Sequence, residues 1–165
     1  MVAIKKVLVA TGFDPASETA LQYGRELARV FHATLDVLHV TRPIYLMAYA
    51  GVDYATVPVG LQEDLEQAAA RQTAQLVTDE DRRDLQGKAV TVTAENPAVA
   101  IIEYAKKNQV DLIVIGTHGR GTVAHVFLGS VAERVVRLAP CPVLTVHHPE
   151  HEFLMPEELV AVART

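Results

Sequence analysis

What the chain lacks narrows its function before any motif is considered. A single cysteine, Cys141, among 165 residues rules out an internal disulfide and a multi-cysteine zinc site. It fits a reducing compartment. Positive charge is scarce. Fifteen Lys and Arg against 20 Asp and Glu leave a net charge of −5, the opposite of the clustered basic surface that nucleic acid demands. Long apolar runs are missing too: none approaches the ~20 residues needed to cross a bilayer. The N-terminus has no signal-peptide core, so we expect a cytoplasmic protein with neither membrane nor nucleic acid as partner. Half of the residues are apolar and 21% charged, the composition of a globular protein with one sizeable core.

What the chain has is glycine in a pattern. The run GTHGRGTVAHVFLGS, from Gly116 to Ser130, follows the apolar stretch Leu112-Ile113-Val114-Ile115 and spaces its glycines as G-x2-G-x9-G-S. Gly116 and Gly119 permit positive φ and let an oxygen-rich group approach the main chain. Ser130, with Glu133 three residues on, matches a capping box, so Ser130 is expected to cap a helix whose first N–H groups face whatever the loop encloses. Strand end, glycine collar and helix N-terminus together suit an anion, above all a phosphate. The plainer alternative is a structural turn, since many strand-to-helix turns need a glycine. The run is not a Walker A loop, because no Lys follows Gly129. Nor is it the dinucleotide fingerprint, which belongs after a first strand.

Taken from the start, Lys6 to Ala10 reads as a buried first strand. Thr11-Gly12-Phe13-Asp14-Pro15 breaks it, with Asp14 as N-cap and Pro15 at the first helical position. Ala20, Gly24, Leu27, Ala28 and Phe31 keep helical spacing, and Leu35 to Val40 is a second strand, completing a right-handed βαβ unit. Residues 41–60, with Tyr45, Tyr49 and Tyr54, form a long irregular piece: a lid over the strand ends, or an insertion covering the core edge. A helix follows from Leu61 to about Asp84, with Leu61, Leu65, Ala68, Gln72 and Leu76 on one face. Its charge run from Asp79 to Asp84 reads as a solvated end. Val90 to Thr93 is a third strand, and Pro97 opens a helix with Val99, Ile102 and Ala105 inward. Val110 to Ile115 is the fourth strand. Val131, Val135 and Leu138 line a last helix, which Pro140-Cys141-Pro142 stops before a fifth strand, Val143 to Val146. Residues 1–147 make one domain, and 148–165 a polar tail that is weakly helical from Pro156.

Five apolar strands alternating with four helices give an α/β, Rossmann-like three-layer sandwich with a five-stranded parallel sheet. In the order 3-2-1-4-5, neighbouring connections diverge between strands one and four, and ligands bind there beyond the strand C-termini. The flanking loops are Ala10 to Asp14 and Gly116 to Ser130. Topology and glycine pattern choose the same place.

On these residues the chain resembles the universal stress protein family over positions 3 to 147. GTHGRGTVAHVFLGSVAERVV has the spacing of that family's ATP-binding motif, and DLIVIG, PCPVLTV and the LHV closing strand two agree with it. The resemblance implies a homodimer pairing through Val143–Val146. It also implies an adenine nucleotide, ATP, AMP or cyclic AMP, with a divalent metal accompanying ATP as an open question. Adenine would lie by the main chain of Val40, and phosphates along Gly116 to Thr122 and at Ser130, Val131 and Ala132. The implied nucleotide site is Ala10, Thr11, Gly12, Asp14, Val40, Ile115, Gly116, Thr117, His118, Gly119, Arg120, Gly121, Thr122, Gly129, Ser130, Val131 and Ala132. One departure stands out. Gly12 occupies the acidic position of the family's T-D-F-S-like first loop, and Ala10 replaces its usual proline. Asp14, two residues on, either serves the ribose or a metal, or caps its helix.

Several residues have two readings. Arg120 can grip phosphate oxygens bidentately, whereas His118 and His125 read as exposed loop positions. His147-His148-Pro149-Glu150-His151 invites a metal, but Pro149 breaks the spacing and no second ligand cluster exists, so no metal site is assigned. Cys141 reads as a small buried hydrophobe, and His32 and His39 as residues at element ends. Three functions compete: a nucleotide-binding regulatory protein of a stress response, a slow ATPase, and a dimeric interaction protein without nucleotide. For catalysis only Asp14 and His118 are candidates, with no loop lysine to neutralise charge. The intact glycine spacing favours the first, with no catalytic residue assigned.

Overall fold

The computed structural model describes residues 3–46, 57–117 and 129–148. Five strands, β1 (Lys6–Thr11), β2 (Thr34–Thr41), β3 (Lys88–Thr93), β4 (Leu112–Gly116) and β5 (Val143–Val146), form one sheet in the order β3-β2-β1-β4-β5. Every pairing is parallel, with Val9 opposite Val37 on one side and Val114 on the other. Helices α1 (Pro15–Phe31), α2 (Leu61–Leu76), α3 (Asp79–Asp84), α4 (Pro97–Lys107) and α5 (Ser130–Leu138) cover both faces. The expected α/β sandwich and strand order are those observed.

Alternation along each strand feeds two cores. Val7, Val9, Leu35, Val37 and Val114 pack beneath α1 with Ala20, Leu21 and Ala28. Leu8, Leu38, Ile113 and Ile115 face the other way, against Ala98, Ile101 and Ala105 of α4 and Ala132 and Val135 of α5. Each such aliphatic side chain taken from water contributes about 1.5–3 kcal/mol before ordering entropy is subtracted. The entry to α1 is as expected. Asp14 Oδ1 accepts the Ser17 N–H at 3.0 Å while Ser17 Oγ accepts the Asp14 N–H at 3.1 Å.

Three helical details depart from expectation. The single helix from Leu61 to Asp84 is two, because Thr78 interrupts it and caps α3 through its own box with Asp81. In α2 the buried residues are Ala69 and Thr73, while Leu65 is exposed along with Ala68 and Gln72. In α4, Ile101 rather than Ile102 is buried, and in α5 Leu138 is exposed. Among the described residues no helix is long and apolar enough to cross a membrane. Of the stretch read as a lid or insertion, residues 47–56 lie outside the described residues, as does the tail from Pro149.

Candidate functional site

A cavity of about 480 Å³ opens at the C-terminal ends of β1 and β4, where the chain diverges to opposite faces of the sheet. The first loop contributes Ala10, Thr11, Gly12 and Asp14, and β2 contributes Val40. Ile115, Gly116 and Thr117 come from the end of β4, and Gly129, Ser130, Val131 and Ala132 from the start of α5. Every expected site residue that is described therefore lines one cavity. His118, Gly119, Arg120, Gly121 and Thr122 lie outside the described residues, and so does His125.

The first loop is held tightly. Phe13 has φ 59, a left-handed conformation that is strained for a bulky side chain. Thr11 Oγ1 accepts the Phe13 N–H at 3.1 Å, and the Phe13 ring stacks on His39 with centroids 4.1 Å apart. His39 Nδ1 lies 2.9 Å from the Thr11 carbonyl oxygen, which can only accept, so this nitrogen carries the proton. A Cβ at Gly12 would fall 2.5 Å from Asp14 Oδ2. Gly12 thus leaves room for the Asp14 carboxylate, whose other oxygen caps α1. The two residues form one arrangement in which Asp14 both caps its helix and borders the cavity.

The glycine stretch differs from expectation at two points. Gly60 alone among the described glycines has a positive φ. Gly116 is required for another reason: a Cβ there would lie 2.7 Å from the Ala16 carbonyl carbon and 2.9 Å from the Ser17 nitrogen. It lets β4 end against the first turn of α1. The N-cap of α5 is Gly129, not Ser130, and no side chain caps it. Ser130 is instead the first helical residue, and the expected box with Glu133 does not form. The helix therefore presents uncapped N–H groups and its positive dipole end, worth roughly half an elementary charge, at the cavity wall.

Thr117, fully buried, fixes the base of this loop. Its N–H donates to the Val146 carbonyl at 2.9 Å, and its carbonyl accepts the Gly129 N–H at 2.6 Å. Its hydroxyl meets His147 Nδ1 at 2.9 Å, and Thr19 Oγ1 meets His148 Nδ1 at 3.2 Å. These two histidines join the tail to the frame. Among the described residues no group of three or more His, Cys, Asp or Glu could hold a metal ion. The Cys141 thiol is half-buried against the α4–α5 core, and burial, then the nearby Asp111 charge, push its pKa up, away from a reactive thiolate.

The model of the Universal stress protein family matches residues 3–147. The chain belongs to the universal stress protein family. A universal stress protein of Thermus aquaticus, encoded in the QAH/OAS sulfhydrylase 3' region, is 35% identical over 149 residues, which cover 86% of this chain and 98% of that one. Among solved structures, a universal stress protein family member from Burkholderia pseudomallei superposes with a TM-score of 0.67 at 27% identity, covering 87% of this chain and 96% of that one. A universal stress protein in complex with cAMP superposes with a TM-score of 0.56 at 26% identity, covering 88% and 98%.

In this universal stress protein the cavity has members that sequence reasoning missed: Ser17, Leu38, His39, Pro97 and Ile101. Leu38 could have been found, because it shares a strand face with Val40, two residues on. Ile101 follows Pro97 by one helical turn and faces the same way. Nothing in the sequence marks His39, whose role is to brace the first loop.

Proposed function

We propose that this universal stress protein is an adenine-nucleotide-binding regulatory protein, cytoplasmic and homodimeric, that acts in a stress response. The observation carrying this reading is the cavity at the sheet's switch point, with an uncapped helix N-terminus on one side and an apolar wall on the other. Its volume lies within the range of small-molecule sites. The adenine ring packs among Leu38, Val40 and Ile101, with its polar edge on the Val40 main chain. The phosphates go to the N–H groups of Ser130, Val131 and Ala132 and to the collar from Gly116 to Thr122. Asp14 serves the ribose in place of the acid absent at Gly12. The cAMP complex of a relative supports the choice of an adenine nucleotide.

Filling the adenine wall tests this. Val40→Trp should abolish ATP and AMP binding in isothermal titration while leaving the melting temperature within a few degrees of wild type. Unchanged binding would place the ligand elsewhere. Dimerisation is proposed through β5, which among the described residues pairs only with β4 and so leaves one edge open. The exposed Val136 and Leu138 of α5 add apolar surface to the protein. Thr145→Lys should shift the protein from dimer to monomer in analytical ultracentrifugation, and a persisting dimer would move the interface off this strand.

A further inference from the structure

Helix α1 turns two unlike flanks to its neighbours. One carries Arg25 and Arg29, which pair with Asp81 and Glu80 of α3. The other carries Thr19, Tyr23, Leu27 and Val30, spaced by three or four residues and so in line down the helix. Tyr23 and Val30 are 41% and 70% exposed, and Leu27 packs only partly against the core. This flank faces β5, for Thr19 Oγ1 meets His148 Nδ1 at 3.2 Å, just past the end of that strand. On β5 itself, Leu144 packs half-buried against the same core. The helices that pack on β5 are α1 on this face and α5 on the other. An apolar groove thus runs from His148 along α1, with Leu144 on its floor and the stripe as its wall. Single exposed apolar residues are ordinary, whereas a contiguous stripe marks a contact.

The chain that continues from His148 carries a matching stripe. Pro156 opens a helical pattern in which Met155, Leu159 and Val162 share one side, with Glu157 and Arg164 opposite. A helix from Pro156 to Thr165 is about 15 Å long, against about 10 Å from Tyr23 to Val30. So short a helix is marginal alone in water and is ordered by a face to pack on. We propose that residues 149–165 turn back from His148 and dock this helix in the groove, Met155, Leu159 and Val162 covering Tyr23, Leu27, Val30 and Leu144. The contact of His148 with Thr19 fixes the entry, because it sets the chain down where the stripe begins. Residues 149–155 supply the turn.

The chain has no tryptophan, so Leu159→Trp in the full chain gives a single reporter on the tail. Its emission should lie to the blue of the same protein in urea. Adding Val30→Glu should shift it to the urea value, while Leu65→Glu, a like change at an exposed leucine of α2, should leave it blue. Both positions are exposed, so neither charge disturbs the frame. Dilution over about a hundredfold range should change nothing, and nor should Thr145→Lys at the β5 edge. Emission that turns red on dilution or with Thr145→Lys gives the groove to a second copy and overturns docking within the chain. So does emission unmoved by Val30→Glu, or an effect of Leu65→Glu as large. A protease separates a bulky ring crowding the groove from no docking at all. Chymotryptic cutting after Leu159 of the unsubstituted chain should be about tenfold slower than in Val30→Glu, and equal rates overturn the proposal whatever the tryptophan reports.

Discussion

The two faces of the sheet are packed to different ends. On one, α1 presents Ala16, Ala20, Gly24 and Ala28 and lies so close that a Cβ at Gly24 would come within 2.3 Å of Val9 Cγ2. On the other, α4 and α5 pack against each other and the sheet, and Leu38, Ile101 and Ile115 belong both to that core and to the wall of the cavity at the strand ends. Each face also buries one acid. Asp81, 1% exposed, meets Arg25 Nε at 2.9 Å and the cap of Thr78. Asp36, also 1% exposed, lies beneath α4 and accepts from the Tyr104 hydroxyl at 3.0 Å. Close packing and an ion pair mark one side, whereas a cavity opens at the strand ends of the other.

Truncating one leucine on each face gives the sharpest contrast. Leu35→Ala, in the closed core, should cost about 4 kcal/mol, and Leu38→Ala, beside an existing cavity, about 2 kcal/mol. In a protein of this size that is a fall in melting temperature of about 12 °C against about 6 °C. Equal falls would break the comparison. The buried acids come next. Asp81→Ala should cost about 3 kcal/mol at pH 7, since it strands Arg25 and removes the acceptor of the Thr78 N–H, one half of the α3 capping box. Burial pushes the Asp81 pKa up, but Thr78 and Arg25 together push it further down, and the net shift is downward. A lowered folded-state pKa gives stability that is present above the ordinary carboxylate value of about 4 and lost as pH falls through the folded value. Urea midpoints of wild type and Asp81→Ala should therefore converge in acid and separate near neutrality. Smallest is Tyr104→Phe, at about 1–2 kcal/mol. Burial first, then the Asp36 charge and hydrogen bond, raise the Tyr104 pKa well above its usual value near 10. Its contribution is full below that value and is lost as pH rises beyond it, so the variant's midpoint should fall less steeply in alkali. Parallel alkaline limbs would remove Tyr104 from the account.

The sequence shows the frame more clearly than the fit of its parts. Near-continuous apolar runs mark the strands, and Asp14-Pro15 and Pro97 mark two helix starts at their true positions. The inner stripe of α2 was illegible because it is largely polar. Glu66 accepts from Thr93 Oγ1 at 2.7 Å, and Thr91 Oγ1 donates to Thr73 Oγ1 at 3.2 Å, so apolar periodicity points at the wrong side. The break at Thr78 had a signature, threonine three residues before Asp81, but it sits at the head of a run of charges that reads as helix end. At the cavity, the resemblance named residues that line it, but not every reason for their identity. Gly116 answers to the backbone of α1 rather than to a bound anion. His39 is seen only once Phe13 is stacked upon it.

The hydrogen bond from Gly129 to Thr117 has a consequence for how this chain can vary. That bond holds the two described ends of the glycine stretch, Thr117 and Gly129, side by side at the edge of the frame. Adding residues there costs only the slow logarithmic growth of loop closure. Two ends pinned together in this way let the length of chain between them change at little cost to the sheet they rest on.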